Sequence, residues 1–186
     1  MEGITVNFPQ GLQSVFKPAA LVVVGQIFIG LSPVSAAEPV NNACQEMSGV
    51  YMITITDIEG VYASRGIITF APGGTMIVND SRQGGQPGVY EPFSSGQGAW
   101  RCEADGADAY RFDAMAITFT FPGEGQRQAF GRIDYAGSVN RETKRLTGKL
   151  SLRLSPDQDL EVADPVANPG PVVEEFGVEG ARVELP

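Results

Sequence analysis

The side chains with the clearest chemical potential lie together on a predicted strand at residues 128–139. Arg132 and Asp134 alternate there with Gly131, Ile133 and Tyr135, so both charged side chains share the face opposite the apolar set. If the charged face lines the lumen of a barrel, it forms a polar site. The alternative is that this face meets solvent.

Aromatic side chains are dense on the middle strands of the chain. Such a set can line an apolar pocket, and it can equally fill a core; periodicity alone does not separate the two. We predict that these aromatic residues, together with the charged pair, bind a ligand: Tyr110, Phe112, Phe119, Phe130, Arg132, Asp134 and Tyr135.

The residue types that the chain lacks exclude several chemistries. It has no histidine and 2 cysteines. Histidine-dependent nucleophilic triads, histidine zinc sites and four-cysteine zinc or iron–sulfur sites are therefore excluded. The acidic run at 157–161 could start a weak calcium site, but it lacks the glycine and glutamate of an EF-hand and we interpret it as a solvated loop. We expect no metal and no cofactor.

Residues 1–37 have the pattern of a signal peptide. The apolar run at 18–31 precedes small residues that suit cleavage after Ala36 or Ala37. The run contains about 14 residues, fewer than the ~20 that a membrane-spanning helix needs. We therefore expect a periplasmic or secreted protein with no stable membrane insertion after cleavage. An anchor that stays attached is the alternative.

The formal net charge is −9, and no run of lysine or arginine offsets it. Such a field repels a polyanion. Nucleic acid is therefore a poor partner, and we expect none.

The two cysteines, Cys44 and Cys102, both follow the predicted cleavage position. In an oxidising compartment we expect a disulfide between them, which would tie the N-terminal part of the domain to its middle. Two separate buried thiols are the alternative.

From residue 48 onward the chain consists of β-branched and aromatic runs separated by turn residues. We predict eight strands, at 49–56, 61–70, 75–80, 98–104, 109–121, 128–139, 145–154 and 176–185. The apolar residues change parity within the fifth run, which predicts a bulge near Asp113 or Ala114. Gly180 marks a second bulge in the last strand.

Eight antiparallel strands joined mainly by short turns predict an all-β, up-and-down barrel, which removes exposed strand edges by closure. A two-sheet β-sandwich is the alternative. The predicted order is a signal peptide at 1–37, an N-terminal extension at 38–47 and the barrel at 48–186. A barrel of this size is either filled by side chains or wide enough for one small ligand.

Three short motifs carry a resemblance to known proteins. They are Phe70-Ala71-Pro72-Gly73-Gly74-Thr75-Met76, Ser94-Ser95-Gly96-Gln97-Gly98-Ala99-Trp100-Arg101 and Val178-Glu179-Gly180-Ala181-Arg182-Val183. They resemble small exported bacterial proteins with a lipocalin-like barrel, most of which have no assigned activity, over about residues 48–183. The resemblance implies the barrel fold rather than a particular function.

Three residues are predicted to be structural. Lipocalins carry Gly-x-Trp on the first strand and an arginine on the last strand that packs across the tryptophan. Gly49-Val50-Tyr51 and Arg182 occupy the corresponding places. This implies that Arg182 closes the barrel base against Tyr51, by a cation–π contact. Trp100, beside the expected disulfide, is predicted to pack in the core.

These observations favour an exported, non-catalytic barrel that binds a small hydrophobic or amphipathic molecule or an envelope partner. Loops 81–97 and 155–171 follow strands three and seven, so both border the same barrel end, where we expect an entrance. One alternative is a cofactor-free cyclase or isomerase, in which Arg132, Asp134 or Tyr135 polarises a substrate in the lumen. The other is a structural or interaction domain with a filled core. The sequence indicates no oligomeric state.

Overall fold

The computed structural model describes residues 42–87, 91–121, 128–155 and 164–185. The elements are α1 Asn42–Met47, β1 Gly49–Thr56, β2 Tyr62–Phe70, β3 Thr75–Asp80, β4 Gly96–Asp105, β5 Ala109–Phe119, β6 Phe130–Asn140, β7 Arg145–Leu154 and β8 Val172–Arg182. The predicted signal peptide and its cleavage position lie outside the described residues. No helix in the described ranges is long and apolar enough to cross a membrane.

Each strand pairs antiparallel with the next one in sequence, and β1 closes the ring with β8. The closing pairs run from Tyr51 opposite Arg182 to Thr56 opposite Gly177. Closure leaves neither β1 nor β8 with an unpaired edge. The up-and-down barrel is thereby confirmed, and the two-sheet sandwich is excluded.

Strand β5 keeps one parity along its whole length, so the predicted bulge is wrong. Its buried inner-face residues are Tyr110, Phe112, Ala114, Ala116 and Thr118. Both neighbouring strands pair with it without a register shift. Met115, Ile117 and Phe119 therefore face outward. The change in the apolar pattern arises because the inner residues become small along the strand.

Strand β8 begins at Val172, earlier than predicted, and ends at Arg182. Backbone pairing with β7 sets these bounds, and it includes the polar residues Glu174 and Glu175. Gly180 pairs regularly with both neighbouring strands, so the bulge predicted there is wrong.

An aromatic cluster fills the closed end of the barrel, the end at which β1 begins. The centre of the Phe70 ring lies 5.7 Å from that of Tyr51, 5.1 Å from that of Trp100 and 5.2 Å from that of Phe112. The indole Nε1 of Trp100 donates a hydrogen bond of 3.0 Å to the carbonyl of Ala71. Its polar atom is therefore paired within apolar packing, as burial requires.

Helix α1 covers this closed end. A disulfide between Cys44 and Cys102, whose Cα atoms are 5.6 Å apart, joins the helix to β4 and confirms the predicted pairing. The Met47 side chain is fully buried. Residues 44 and 47 of the predicted N-terminal extension thus belong to the same core as the barrel.

Candidate ligand-binding cavity

A cavity of about 730 Å³ opens at the end of the barrel opposite α1, which we call the open end. All eight strands contribute to its lining. Its outer rim, which we call the mouth, contains Asp57, Tyr62, Arg82, Glu91 and Glu174. The volume lies within the range of about 300–1,000 Å³ that is usual for small-molecule sites.

The cavity wall is mainly apolar. Its apolar side chains are Ile55, Ala63, Val78, Phe93, Ile133, Leu150, Leu152, Leu154 and Phe176. Leu150, Leu152 and Leu154 occupy alternate positions on β7, and this spacing directs all three to the same face of the strand. Strand alternation therefore accounts for a continuous apolar wall.

The open end is hollow because small side chains face inward there. The strands that supply Phe70, Trp100 and Phe112 to the closed end supply Ser64, Gly96 and Thr118 to the cavity. Gly131 also belongs to this set of small residues. A Cβ at this position would lie 2.9 Å from Cγ2 of Thr118, so the wall itself is closely packed there. One barrel thus combines a filled half and a hollow half.

Two bulges shape the mouth. Ala63 is the additional residue between the pairs Ile55–Ser64 and Thr56–Tyr62. A bulge bends its strand and changes the direction of nearby side chains. Tyr62 and Ala63 consequently both line the cavity, although successive residues of a regular strand face opposite sides. A second register shift, between Leu152 and Arg153, lies at the same end.

The connection between β3 and β4 forms one side of the cavity. Arg82, Gln83, Glu91, Phe93 and Ser94 from this connection line it. The main-chain N–H of Ser94 donates to the carbonyl of Phe119 at 2.8 Å. This bond holds the second half of the connection against the end of β5.

The polar groups of the cavity are organised around Asp80 at the end of β3. Ser64 Oγ donates to Oδ2 of Asp80 at 2.8 Å, and the main-chain N–H of Arg82 donates to Oδ1 at 2.7 Å. No ion pair within the described ranges involves this carboxylate. A carboxylate has about four acceptor positions, so Asp80 retains acceptor capacity.

Tyr135 lies on the cavity wall with 4% of its surface exposed. Its hydroxyl has no hydrogen-bond partner in the part of the chain that the structure describes, and its oxygen remains accessible from the cavity. Burial raises the pKa of this hydroxyl, and the charge of Asp80 raises it further. The group therefore stays protonated at neutral pH, and can both donate and accept a hydrogen bond.

Of the residues predicted to bind a ligand, the structure brings only Tyr135 to the cavity wall. Tyr110 and Phe112 are buried at the closed end, where the Tyr110 hydroxyl bonds the carboxylate of Glu46 on α1. They do not line the cavity, because they stand at the beginning of β5, whereas the cavity lies at its end.

Phe119 and Phe130 lie on the outer face of the barrel, with ring centres 4.8 Å apart. Their neighbours Thr118 and Gly131 line the cavity instead. Because successive strand residues face opposite sides, the aromatic pair faces away from the lumen. The structure therefore places Phe119 and Phe130, which were predicted to bind a ligand, outside the cavity.

Arg132 and Asp134 also lie on the outer face. Asp134 accepts hydrogen bonds from Nε of Arg132 at 2.7 Å and from Nε of Arg153 at 2.9 Å. The alternation that places Ile133 and Tyr135 in the lumen places this charged pair outside. The structure therefore places both predicted ligand-binding residues outside the cavity. The catalytic alternative loses two of the three groups on which it depended.

The segment 164–170 is held against the outer face by hydrogen bonds from Arg132 and Arg153. Arg132 donates to the carbonyl of Val166 at 3.1 Å, and Arg153 donates to the carbonyl of Gly170 at 3.1 Å. No residue of 164–171 lines the cavity. Of the two loops expected to border the entrance, the first does so, and the described part of the second lies along the outer wall. The acidic run 157–161 lies outside the described residues.

Arg182 caps the closed end. Its NH1 donates to the carbonyl of Glu46 at 3.1 Å. Burial raises the pKa of Tyr51 to about 12, and the positive charge of Arg182 opposes this rise. The cation–π contact that the structure describes here lies between Arg141 and the Tyr110 ring, 4.4 Å apart, rather than between Arg182 and Tyr51.

The sequence analysis missed the polar groups of the cavity, chiefly Ser64, Asp80 and Thr118. Each occupies a position of inward parity on its strand, beside buried apolar residues. That parity was readable from the sequence. Which end of the barrel is hollow was not.

No protein-family model, curated protein or solved structure matches the chain. The cavity and its polar groups are therefore the basis on which function is inferred.

Proposed function

We propose that the protein binds a small hydrophobic or amphipathic molecule in the cavity at the open end, without catalysing a reaction. The observation that carries this proposal is the contrast between the filled closed end and the hollow, apolar-walled open end. Apolar surface in contact with water costs roughly 25 cal/mol per Å². An apolar molecule in the cavity would remove part of that cost.

The shape of the site supports a resident small molecule. Strands from all around the barrel form the wall, and bulges widen the rim at one end. A wall built on paired strands keeps its shape without the ligand, which lowers the entropic cost of binding.

We also propose that the protein is exported. A disulfide between Cys44 and Cys102 suits an oxidising compartment. The leader pattern at 1–37 and the resemblance to exported lipocalin-like proteins agree with this proposal.

Titration of the purified full-length chain with the neutral fluorophore N-phenyl-1-naphthylamine tests the binding function. We expect saturable binding of one fluorophore per chain. Leu152→Trp places an indole in the cavity and should weaken binding by at least about tenfold. Ser151→Trp places the same group on the neighbouring outer face and should leave the affinity within about twofold.

Absence of saturable binding by the unmodified chain would overturn the proposal. Equal losses in Leu152→Trp and Ser151→Trp would also overturn it, because binding would then not take place in the cavity. Native mass spectrometry provides a second measurement: a mass excess that disappears on denaturation would reveal a retained molecule.

A further inference from the structure

We propose that the molecule bound in the cavity is an amphiphile whose head is a primary amine, held by Asp80 and Tyr135, with its apolar tail against the β7 leucines. This inference rests on the proposed binding function and assigns the chemical class of its ligand. The charge of the cavity, the free capacity of Asp80 and the unpaired hydroxyl of Tyr135 each support it.

The charges that line the cavity favour a cation. Among the described residues, four carboxylates line it, from Asp57, Asp80, Glu91 and Glu174, and Arg82 is the lining residue with a positive charge. The carboxylate of Asp57 already accepts the main-chain N–H groups of its own turn. In a cleft with low-dielectric walls, charges of one sign add to a stronger electrostatic potential, which attracts ions of the opposite sign. A carboxylate or phosphate head group would therefore meet repulsion, and an ammonium would meet attraction.

Asp80 is held ready to accept a cation. Ser64 and the main chain of Arg82 fix one bond on each carboxylate oxygen. About two acceptor positions remain, and they can take two of the three N–H donors of a primary ammonium. Hydrogen bonds between charged partners are stronger than neutral ones, particularly at a partly desolvated site. These two bonds orient the carboxylate before the ligand binds, which lowers the entropic cost of binding.

Tyr135 supplies the second, independent observation. A tyrosine that is 4% exposed normally pairs its hydroxyl, yet this one has no partner within the described residues. Because the residue lines the cavity, the unpaired oxygen can accept a hydrogen bond from a ligand N–H. This unpaired hydroxyl on the cavity wall thus indicates a polar ligand group within an otherwise apolar wall.

Aromatic rings add to the preference for a cation. Tyr62, Phe93 and Phe176 line the cavity together with Tyr135. The face of an aromatic ring attracts an ammonium group, by roughly 0.5–2 kcal/mol depending on its exposure. Carboxylates combined with aromatic rings are a suitable environment for an alkylammonium group.

Displacement of bound N-phenyl-1-naphthylamine by decylamine, decanol and decanoate tests the inference at pH 7 on the full-length chain. The three compounds share one tail and differ only in the head group. We expect decylamine to displace the fluorophore at a concentration about tenfold lower than decanol, and decanoate to be the weakest. Raised ionic strength should reduce the preference for the amine, because salt screens charge interactions at the exposed mouth.

Two variants locate the effect. Asp80→Asn should reduce the amine-over-alcohol ratio to within about threefold, and Tyr135→Phe should reduce it by a smaller factor. Glu175→Gln is the matched control, since it removes one negative charge from β8 at a residue that does not line the cavity. This control should keep the tenfold ratio. If Asp80→Asn does not fold, the comparison of Tyr135→Phe with Glu175→Gln decides the question, since a loss of selectivity in the first variant alone supports the assignment.

The outcomes separate this inference from the function on which it rests. If the fluorophore binds and the three compounds displace it equally, or decanoate displaces it best, the amine assignment is overturned while the binding function stands. If Glu175→Gln loses as much selectivity as Asp80→Asn, general acidity explains the preference and the assignment is again overturned. If the fluorophore does not bind, the binding function fails and the amine assignment fails with it.

Discussion

The hydroxyl of Tyr51 donates a hydrogen bond of 2.7 Å to the main-chain carbonyl of Met47. This bond joins the first strand of the barrel to the helix that covers its closed end. Both residues are fully buried. The acceptor would therefore have no access to water if the hydroxyl were removed.

We expect Tyr51→Phe to lower the free energy of unfolding by about 1–3 kcal/mol, because it leaves a buried carbonyl without a partner. Urea denaturation measures the change. Tyr62→Phe removes the same atom from a tyrosine that is 57% exposed and should change stability by less than about 0.5 kcal/mol. Equal effects of the two substitutions would contradict the structural role of the Tyr51 hydroxyl.

Alkaline pH should weaken the closed end. Burial raises the pKa of Tyr51 from its ordinary value of 10.0 to about 12. A group whose pKa is higher in the folded state contributes stability that is fully present below the unfolded pKa. That contribution is lost as the pH rises from the unfolded pKa through the folded one. Burial also raises the pKa of Tyr110 at the same end.

We therefore expect the free energy of unfolding to fall as the pH rises from about 10 to about 12. Tyr51→Phe should show a shallower fall, because it lacks one of the titrating groups. Urea denaturation at several pH values in this window provides the measurement. A variant with the same pH dependence as the unmodified protein would show that Tyr51 does not contribute.

Reduction of the disulfide should destabilise the barrel. Cys44 and Cys102 close a loop with a sequence separation of 58 residues. Loop-closure entropy assigns such a cross-link up to about 4 kcal/mol. We expect a reducing agent to lower the Tm of the unmodified chain.

The double variant C44A/C102A controls for other effects of the reducing agent. It should start from a lower Tm and show no further response to reductant. A similar response in both proteins would mean that the reductant acts elsewhere in the chain.

Asp134→Asn should release the segment 164–170 from the outer wall. Asp134 holds Arg132 and Arg153, which in turn bind main-chain carbonyls of that segment. We expect faster amide hydrogen exchange in 164–170 and a loss of about 1–3 kcal/mol in stability. Binding in the cavity should persist, since neither the ion pairs nor the segment line it.

Asp113→Asn is the matched control for this prediction. Asp113 pairs with Arg101 on the outer face, where their side chains are 58% and 84% exposed. Exposed ion pairs contribute about 0–1 kcal/mol. Exchange in 164–170 should not change in this variant. Unchanged exchange in Asp134→Asn as well would show that the ion pairs do not hold the segment.

Much of the barrel could be read from local patterns. The predicted bounds of the first and third strands agree with those of β1 and β3. The turn between β2 and β3 contains Gly73 and Gly74, whose φ angles of +92° and +87° favour glycine. Alternation and turn chemistry act over a few residues, so the sequence reports them directly.

The inner and outer faces were harder to assign. Alternation correctly separated Arg132 and Asp134 from Ile133 and Tyr135. It did not show which set faces the lumen. On β5, small inner residues and large apolar outer residues produced an apparent bulge at Asp113 or Ala114 that the strand does not contain. Burial depends on what covers a face, and in this protein residues 164–170 cover part of the outer wall.

The sequence by itself determined the all-β class and the succession of strands, and it favoured the barrel and the disulfide that the structure contains. Only the tertiary structure decided where the cavity lies and which groups meet there. Ser64, Asp80 and Tyr135 come from β2, β3 and β6, and ring closure brings them around one cavity. The physical reason is that strand formation depends on local alternation, whereas a hollow depends on side-chain volumes summed across all strands at one level.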